Sequence, residues 1–411
     1  MLTARLSLMM FLQFFIWGGW FVTLGTFLGN NLNASGGEIA MAFSTQSWGA
    51  IIAPFIIGLI ADRYFNAERI LGILHLVGAV LMYQLYSSTS FVGFYPYLLG
   101  YMILYMPTLA LVNSVSFRQV TDTTRQFPYI RVFGTIGWIT AVNLISLLSW
   151  DSQTGIQEGL LKNTFLMVSA ASALLGLYSF SLPKTPPQVE KNEQTSISQV
   201  LGLDALRLLR NRNFLIFFIA SILICIPLAF YYQNLSPFLT ESQVANSSSW
   251  TSTGQASEVL FMLLLPLFFK RFGFKKTIVL GMLAWALRYV LFAYGNSGEL
   301  FFMVIIGIVL HGICYDFFFV SGQIYTDSKA GEKYRSSAQG IITLATYGLG
   351  MLIGYSVAGQ ISDTYVTEGG HLWKNIWLFP AGFAAAVLVL FSLSFRGEQY
   401  KKNVPAESTA V

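Results

Sequence analysis

Gly307-Ile-Val-Leu-His-Gly-Ile-Cys-Tyr-Asp-Phe-Phe-Phe-Val-Ser-Gly-Gln323 lies within an apolar run, 299–325, with Asp316 deep among aromatic side chains. A helix rises about 1.5 Å per residue, so such a run is long enough to cross a hydrocarbon layer about 30 Å thick. A carboxylate at that depth costs on the order of several kcal/mol unless it is paired, hydrated or lining a cavity. The segment therefore reads as a membrane helix that carries a functional acid. The remainder of the chain decides whether the membrane is real.

Hydrophobic residues make up 55% of the 411 and charged residues 10%, against about 25% charged in an ordinary soluble domain. Counting outward from 299–325, twelve segments reach spanning length: 6–29, 44–62, 70–88, 93–117, 127–149, 163–182, 212–239, 251–269, 275–294, 299–325, 336–360 and 373–395. The fold class is thus an all-α membrane protein. The first run follows Arg5 as a secretory signal would, but it is longer than a signal core and lacks a small-residue cleavage pattern, so it is read as a retained span. Cys225 and Cys314 both fall in apolar segments, which excludes a disulfide framework.

Basic residues orient the spans. Twenty fall in loops on one side of the twelve-span count, among them Arg63, Arg69, Lys191, Lys270, Lys276, Lys401 and Lys402, and only Lys162 and Lys374 fall opposite. The positive-inside rule then puts both termini in the cytoplasm of a multi-pass protein. The net charge of +5 is membrane-anchoring charge by this reading, with no nucleic-acid partner. The stretch from Pro183 to the start of span 7 is the longest non-apolar one. It divides the chain into a six-helix half (1–182), a cytoplasmic linker (183–211), a second six-helix half (212–395) and a tail (396–411). Within the linker, Leu201–Arg210 is amphipathic and reads as a surface helix. Two such halves with a site between them are the plan of many secondary transporters, and no filter-like repeat favours a channel.

Polar groups cluster at helical spacing. Arg131 and Thr135 are four apart on span 5, and Trp138 returns nearly to that face. Gln255 and Glu258 are three apart on span 8; the carboxylate accepts when charged and donates when protonated. On span 10, His311 and Tyr315 are four apart, beside Asp316. Simple alternatives stand beside these readings: headgroup snorkelling for Arg131, a helix N-terminal carboxylate for Glu258, and a helix–helix hydrogen bond for Asp316. Gln13, Trp17 and Trp20 add polar and aromatic groups to span 1. No phosphate-binding loop, His/Cys spacing or carboxylate cluster points to ATP hydrolysis or to a metal. The chain is expected to be a carrier, not an enzyme.

Ordered motifs sharpen this. Leu12-Gln-Phe-Phe-Ile-Trp-Gly-Gly-Trp20, Tyr105-Met-Pro-Thr-Leu109, Phe127-Pro-Tyr-Ile-Arg-Val-Phe-Gly-Thr-Ile-Gly137 and Gln255-Ala-Ser-Glu258 occur in sequence, followed by Ala286-Leu-Arg-Tyr289, Tyr315-Asp-Phe-Phe318 and Ser337-Ala-Gln-Gly340. Over nearly its full length the chain resembles the bacterial nucleoside:proton symporters of the nucleoside and xanthosine permease type, in the major facilitator superfamily. The resemblance implies proton-coupled nucleoside import by alternating access at the cytoplasmic (inner) membrane. It further implies a functional monomer among lipids, with the proton as coupling ion and no other cofactor. It carries binding roles to Arg131, Thr135, Gln255 and Glu258, and an acidic position to Asp316; Glu258 and Asp316 are the proton-coupling candidates. Two features depart from the family pattern. Ala229 and Tyr232 stand where the family has amide side chains, and His311 replaces a tyrosine, so base preference is expected to differ. A proton-coupled carrier of a sugar or sugar-like metabolite is the alternative.

Overall fold

The computed structural model describes residues 2–56, 65–120, 123–186 and 203–396. Arg63, Lys191, Lys401 and Lys402 lie outside them, as do 187–202 of the linker and 397–411 of the tail. The described chain is helical because water is absent from a bilayer core: a spanning segment must satisfy its backbone groups internally. The transmembrane helices are α1 (Leu2–Asn31, bent after Phe21), α2 (Gly36–Ile56), α3 (Ala67–Ser87), α4 (Phe91–Gln119), α5 (Thr123–Leu147) and α6 (Asn163–Ser179). After the linker come α7 (Arg212–Glu241), α8 and α9 (together Ser247–Tyr294), α10 (Phe301–Ala330), α11 (Ser337–Thr364) and α12 (Trp373–Ser394).

The expected spans correspond to these helices in order, with one correction. The second helix begins at Gly36, eight residues before the expected 44, because polar Glu38 and the Ser/Thr-rich turn that follows hide its start from a hydropathy reading. Spans 8 and 9 fold back on each other at Gly273, whose φ of 71° is open to glycine and strained for other residues; Gly254 of α8 and Phe292 of α9, on either side of it, both pack on 307–311 of α10. The amphipathic linker piece is a 3₁₀ helix, Leu203–Arg210. Its buried Ala205 packs with Ala330, Ala338 and Ile341, which docks it onto the segment joining α10 and α11.

Packing repeats after a shift of six helices. The pairs α1–α5, α2–α4 and α3–α6 have counterparts in α7–α11, α8–α10 and α9–α12. Between the two sets, α2 packs on α11, α5 on α8, and the outer part of α1 on α7. Leu393, Val92 and Leu147 are 82%, 80% and 78% exposed. Side chains that would be a liability in water here face lipid.

Two close approaches hold the site helices in register. At Gly137 of α5 a Cβ would stand 2.1 Å from the Phe11 carbonyl oxygen of α1, and at Gly312 of α10 one would stand 2.5 Å from the Ser257 carbonyl of α8. The Gly312 N–H also donates to Ser257 Oγ at 3.0 Å. Gly312→Ala should therefore push α10 off α8 and destabilise the protein by about 1–3 kcal/mol. Gly382→Ala, where nothing lies within 4 Å, should be neutral or stabilising. Thermal unfolding of the two purified variants checks this, and equal midpoints would contradict it.

Candidate functional site

A central cavity lies between the two sets of helices, walled by α1, α2, α5, α7, α8, α10 and α11. From α5 come Arg131, Thr135 and Trp138; from α8, Gln255 and Glu258; from α10, His311 and Tyr315. Each group follows from helical spacing: residues three, four or seven apart return to one face. Seven of the eight residues singled out in the sequence thus share one cavity.

Asp316, the eighth, is not in the cavity wall. Adjacent residues on a helix point about 100° apart, so a face that presents Tyr315 turns Asp316 away. Its carboxylate is fully buried and has no hydrogen-bond partner among the described residues. Asp316 also begins a π-helical segment, Asp316–Val320, and a second one, Leu344–Gly350, interrupts α11. Such wide turns interrupt α-helices mostly at functional positions. Here they are tied together by a Tyr315–Tyr347 hydroxyl contact at 2.5 Å.

Arg131 and Glu258 face the same cavity from opposite sets of helices and form no ion pair. The Arg131 guanidinium instead covers the Phe14 ring, 4.1 Å from its centroid. That contact satisfies part of the cation through the ring quadrupole and leaves its donors for a ligand. Opposite, Trp17 and Trp138 pack edge to face at 5.7 Å, and Phe21 meets Tyr232 at 5.6 Å across the interface between the sets. The chemistry on offer is a cation, a carboxylate, an amide and hydroxyls, set among flat apolar faces. That combination suits a ligand with both vicinal hydroxyls and a planar ring.

Phe14, Phe21, Gln46 and Tyr347 line the cavity without having been singled out. Gln46 accepts a 2.7 Å hydrogen bond from Tyr355 of α11, a contact 309 residues apart that no local pattern reveals. Gln13 has a different place. Its Nε2 donates to Thr108 Oγ1 at 2.7 Å and its Oε1 meets His75 Nε2 at 2.8 Å, in a fully buried network behind the wall.

One end of the bundle, away from the basic loops, is latched by a matched pair of contacts. At the end of α11, Asp363 accepts from the N–H groups of Gly36 and Gly37 at 2.7 and 2.8 Å, at the start of α2. Just past α5, Asp151 accepts from Ser248 N–H at 2.8 Å, at the start of α8. Both place a carboxylate from one set of helices on the N-terminus of a helix in the other, where free N–H groups and the dipole favour negative charge. Thr26 Oγ1 and Ser236 Oγ, 2.6 Å apart, add to the same end. Each cap should be worth about 0.5–2 kcal/mol. The double variant Asp151→Asn/Asp363→Asn should raise the population open at this end by roughly tenfold or more. Spin-label distances between the ends of α2 and α11 and of α5 and α8 report that population; an unchanged distribution would count against the latch.

A family model, Nucleoside H+ symporter, matches residues 1–400. The chain is 44% identical over 403 residues to YegT of Escherichia coli (strain K12), covering 96% of this chain and 94% of that one. It is 35% identical over 410 residues to the E. coli (strain K12) xanthosine permease, covering 96% of each. Two crystal structures of nucleoside transporter NupG superpose with TM-scores of 0.89 and 0.85 at 30% identity, covering 96% and 97% of this chain and all of theirs.

Proposed function

We propose a transport cycle from one premise: the chain belongs to the nucleoside H+ symporter family, a branch of the major facilitator superfamily. It is a multi-pass protein of the bacterial cytoplasmic membrane and a secondary active transporter, coupling nucleoside movement to protons by alternating access. The central cavity is the nucleoside site. The observation that carries this is the unpaired meeting of Arg131 and Glu258 from opposite sets of helices in one aromatic cavity.

In this cycle, ribose hydroxyls are held by Arg131, Gln255 and Glu258, with Thr135 beside them. The base lies among Trp138, Tyr315 and His311. A ligand that bridges Arg131 and Glu258 binds both sets of helices at once, which is what a rocking carrier requires. The rocking bodies are 1–182 and 212–395, joined by 183–211 and followed by the tail from 396. Glu258 is the first coupling group, because it is in the cavity where substrate and proton can compete or cooperate; Asp316 is the second. The excess of basic loops supports cytoplasmic termini and inward movement with the proton gradient. The central site is built wholly from one chain, which supports function as a monomer.

Uptake into proteoliposomes tests the reading. Arg131→Ala should lower kcat/KM roughly 10- to 100-fold, the loss expected for charge-assisted hydrogen bonds. Free ribose should compete far less well than intact nucleosides; the reverse order would favour a sugar carrier. Glu258→Gln should abolish gradient-driven accumulation while retaining nucleoside counterflow. If Glu258→Gln still accumulates substrate and Asp316→Asn does not, coupling belongs to Asp316. If uptake ignores an imposed proton gradient in the parent protein, the symport reading fails.

A further inference from the structure

Arg288, on α9, is a fully buried cation that the cycle above does not use. Among the described residues no carboxylate pairs with it, and its Nε and Nη2 have no hydrogen-bond partner. Its guanidinium instead lies over the Tyr231 ring, 3.9 Å from the centroid, and its Nη1 stands 3.3 Å from Nδ1 of His311. His311 stacks on the same tyrosine, with centroids 4.9 Å apart and planes 16° from parallel. Arg288, Tyr231 and His311 therefore form one buried unit, of which His311 is the member in the cavity wall.

Donor and acceptor roles in this unit are fixed by chemistry. A guanidinium offers only donors and does not lose its proton inside proteins. Nδ1 of His311 must then be the acceptor, and a neutral imidazole that accepts at Nδ1 carries its hydrogen at Nε2. With Nδ1 engaged by Arg288, Nε2 is the ring nitrogen left for the cavity. An unconstrained histidine would present either a donor or an acceptor there; this one presents a donor.

We propose that Arg288 is a positioning residue that fixes His311 as an Nε2–H donor, so that the pair selects nucleosides whose base edge presents a hydrogen-bond acceptor, a ring nitrogen or a carbonyl oxygen. The proposal rests on the cavity being the nucleoside site. It gives a physical meaning to having a histidine at this position. A tyrosine hydroxyl rotates and serves as donor or acceptor, whereas a histidine locked from behind has one polarity. A ligand lacking the acceptor leaves a buried N–H unpaired, and such losses weaken binding by roughly 10- to 100-fold.

Two measurements test it. The chain has three histidines, so ¹⁵N solid-state NMR of the purified protein in lipid can assign the His311 ring by the signal lost in His311→Phe. The expected spectrum shows unprotonated Nδ1 and protonated Nε2, kept in Arg288→Lys and mixed in Arg288→Met; a protonated Nδ1 in the parent protein overturns the proposal whatever the substrate. The second measurement is competition for uptake of the best-transported nucleoside. For adenosine the competitors are its 1-, 3- and 7-deaza analogues, for an oxopurine nucleoside its 3- and 7-deaza and 6-thio analogues, and for uridine 2-thiouridine and 4-thiouridine, in which sulfur, a poor acceptor, takes the place of a carbonyl oxygen. At least one missing acceptor should weaken competition 10- to 100-fold in the parent. That ratio should fall to within about threefold of one in Arg288→Met and recover in Arg288→Lys. Uniform competition by all analogues, or discrimination that survives Arg288→Met, overturns the proposal. Failure of every intact nucleoside to compete would instead overturn the reading of the cavity, leaving the NMR result as the judge of the tautomer.

Discussion

The cost of placing an ionised side chain in hydrocarbon organises this protein. Three ionisable groups illustrate three resolutions of that cost. Arg288 is enclosed by aromatic rings and a histidine acceptor, so its charge is absorbed inside the protein. Arg131 is partly satisfied by the Phe14 face and opens into the cavity, opposite Glu258. Asp316 has neither cation nor hydrogen-bond partner among the described residues and lies at the start of a π-helical segment. A group enclosed in this way, with no opening to the cavity, is structural or positioning. One that is left unsatisfied at a cavity or a bistable turn has free energy to exchange with a ligand or proton.

The same economy of charge governs closure. Asp363 and Asp151 occupy equivalent places in the two sets of helices, and each neutralises the positive end of a helix belonging to the other set. Because α2–α11 and α5–α8 are the matching contacts between the sets, the two caps act at both sides of the same seam. A helix N-terminus loses little when water replaces a carboxylate, so these latches can be released without a large barrier. Gly359 brings the α11 backbone close enough to α2 for the seam to shut tightly; a Cβ there would meet the Gly36 carbonyl oxygen at 2.6 Å. Closure therefore depends on small residues for contact and on acids for register.

How far the sequence carries depends on the range of the interaction. Apolar length gave the helices, since a bilayer imposes a threshold that single segments either meet or miss. Helical spacing gave Arg131 with Thr135, Gln255 with Glu258 and His311 with Tyr315, because a shared face is a local property. It leaves Asp316 on an adjacent face, one residue and about 100° away from Tyr315. It also missed Phe14, Gln46 and Tyr347, which are ordinary residues of apolar helices until the packing of α1, α2 and α11 turns them inward. The start of α2 was hidden because a helix end exposed to water needs no apolar residues. The short basic turn expected between spans 8 and 9 falls where the chain leaves helical geometry, at Gly273.

Long-range contacts also settle chemistry that residue identity leaves open. Residue identity alone places a histidine at 311, and it leaves the ring free to donate or accept. The fold brings Arg288 against it from another helix, 23 residues away in sequence, and removes one of the two choices. Tyr231 completes the constraint: the guanidinium lies over its ring and the imidazole stacks on it, so the imidazole cannot turn without losing its stacking partner. The polarity of a residue in the cavity wall is thereby set by a residue outside it. Recognition in this transporter is set by which hydrogen-bonding polarity the second layer leaves exposed, as much as by which side chains reach the ligand.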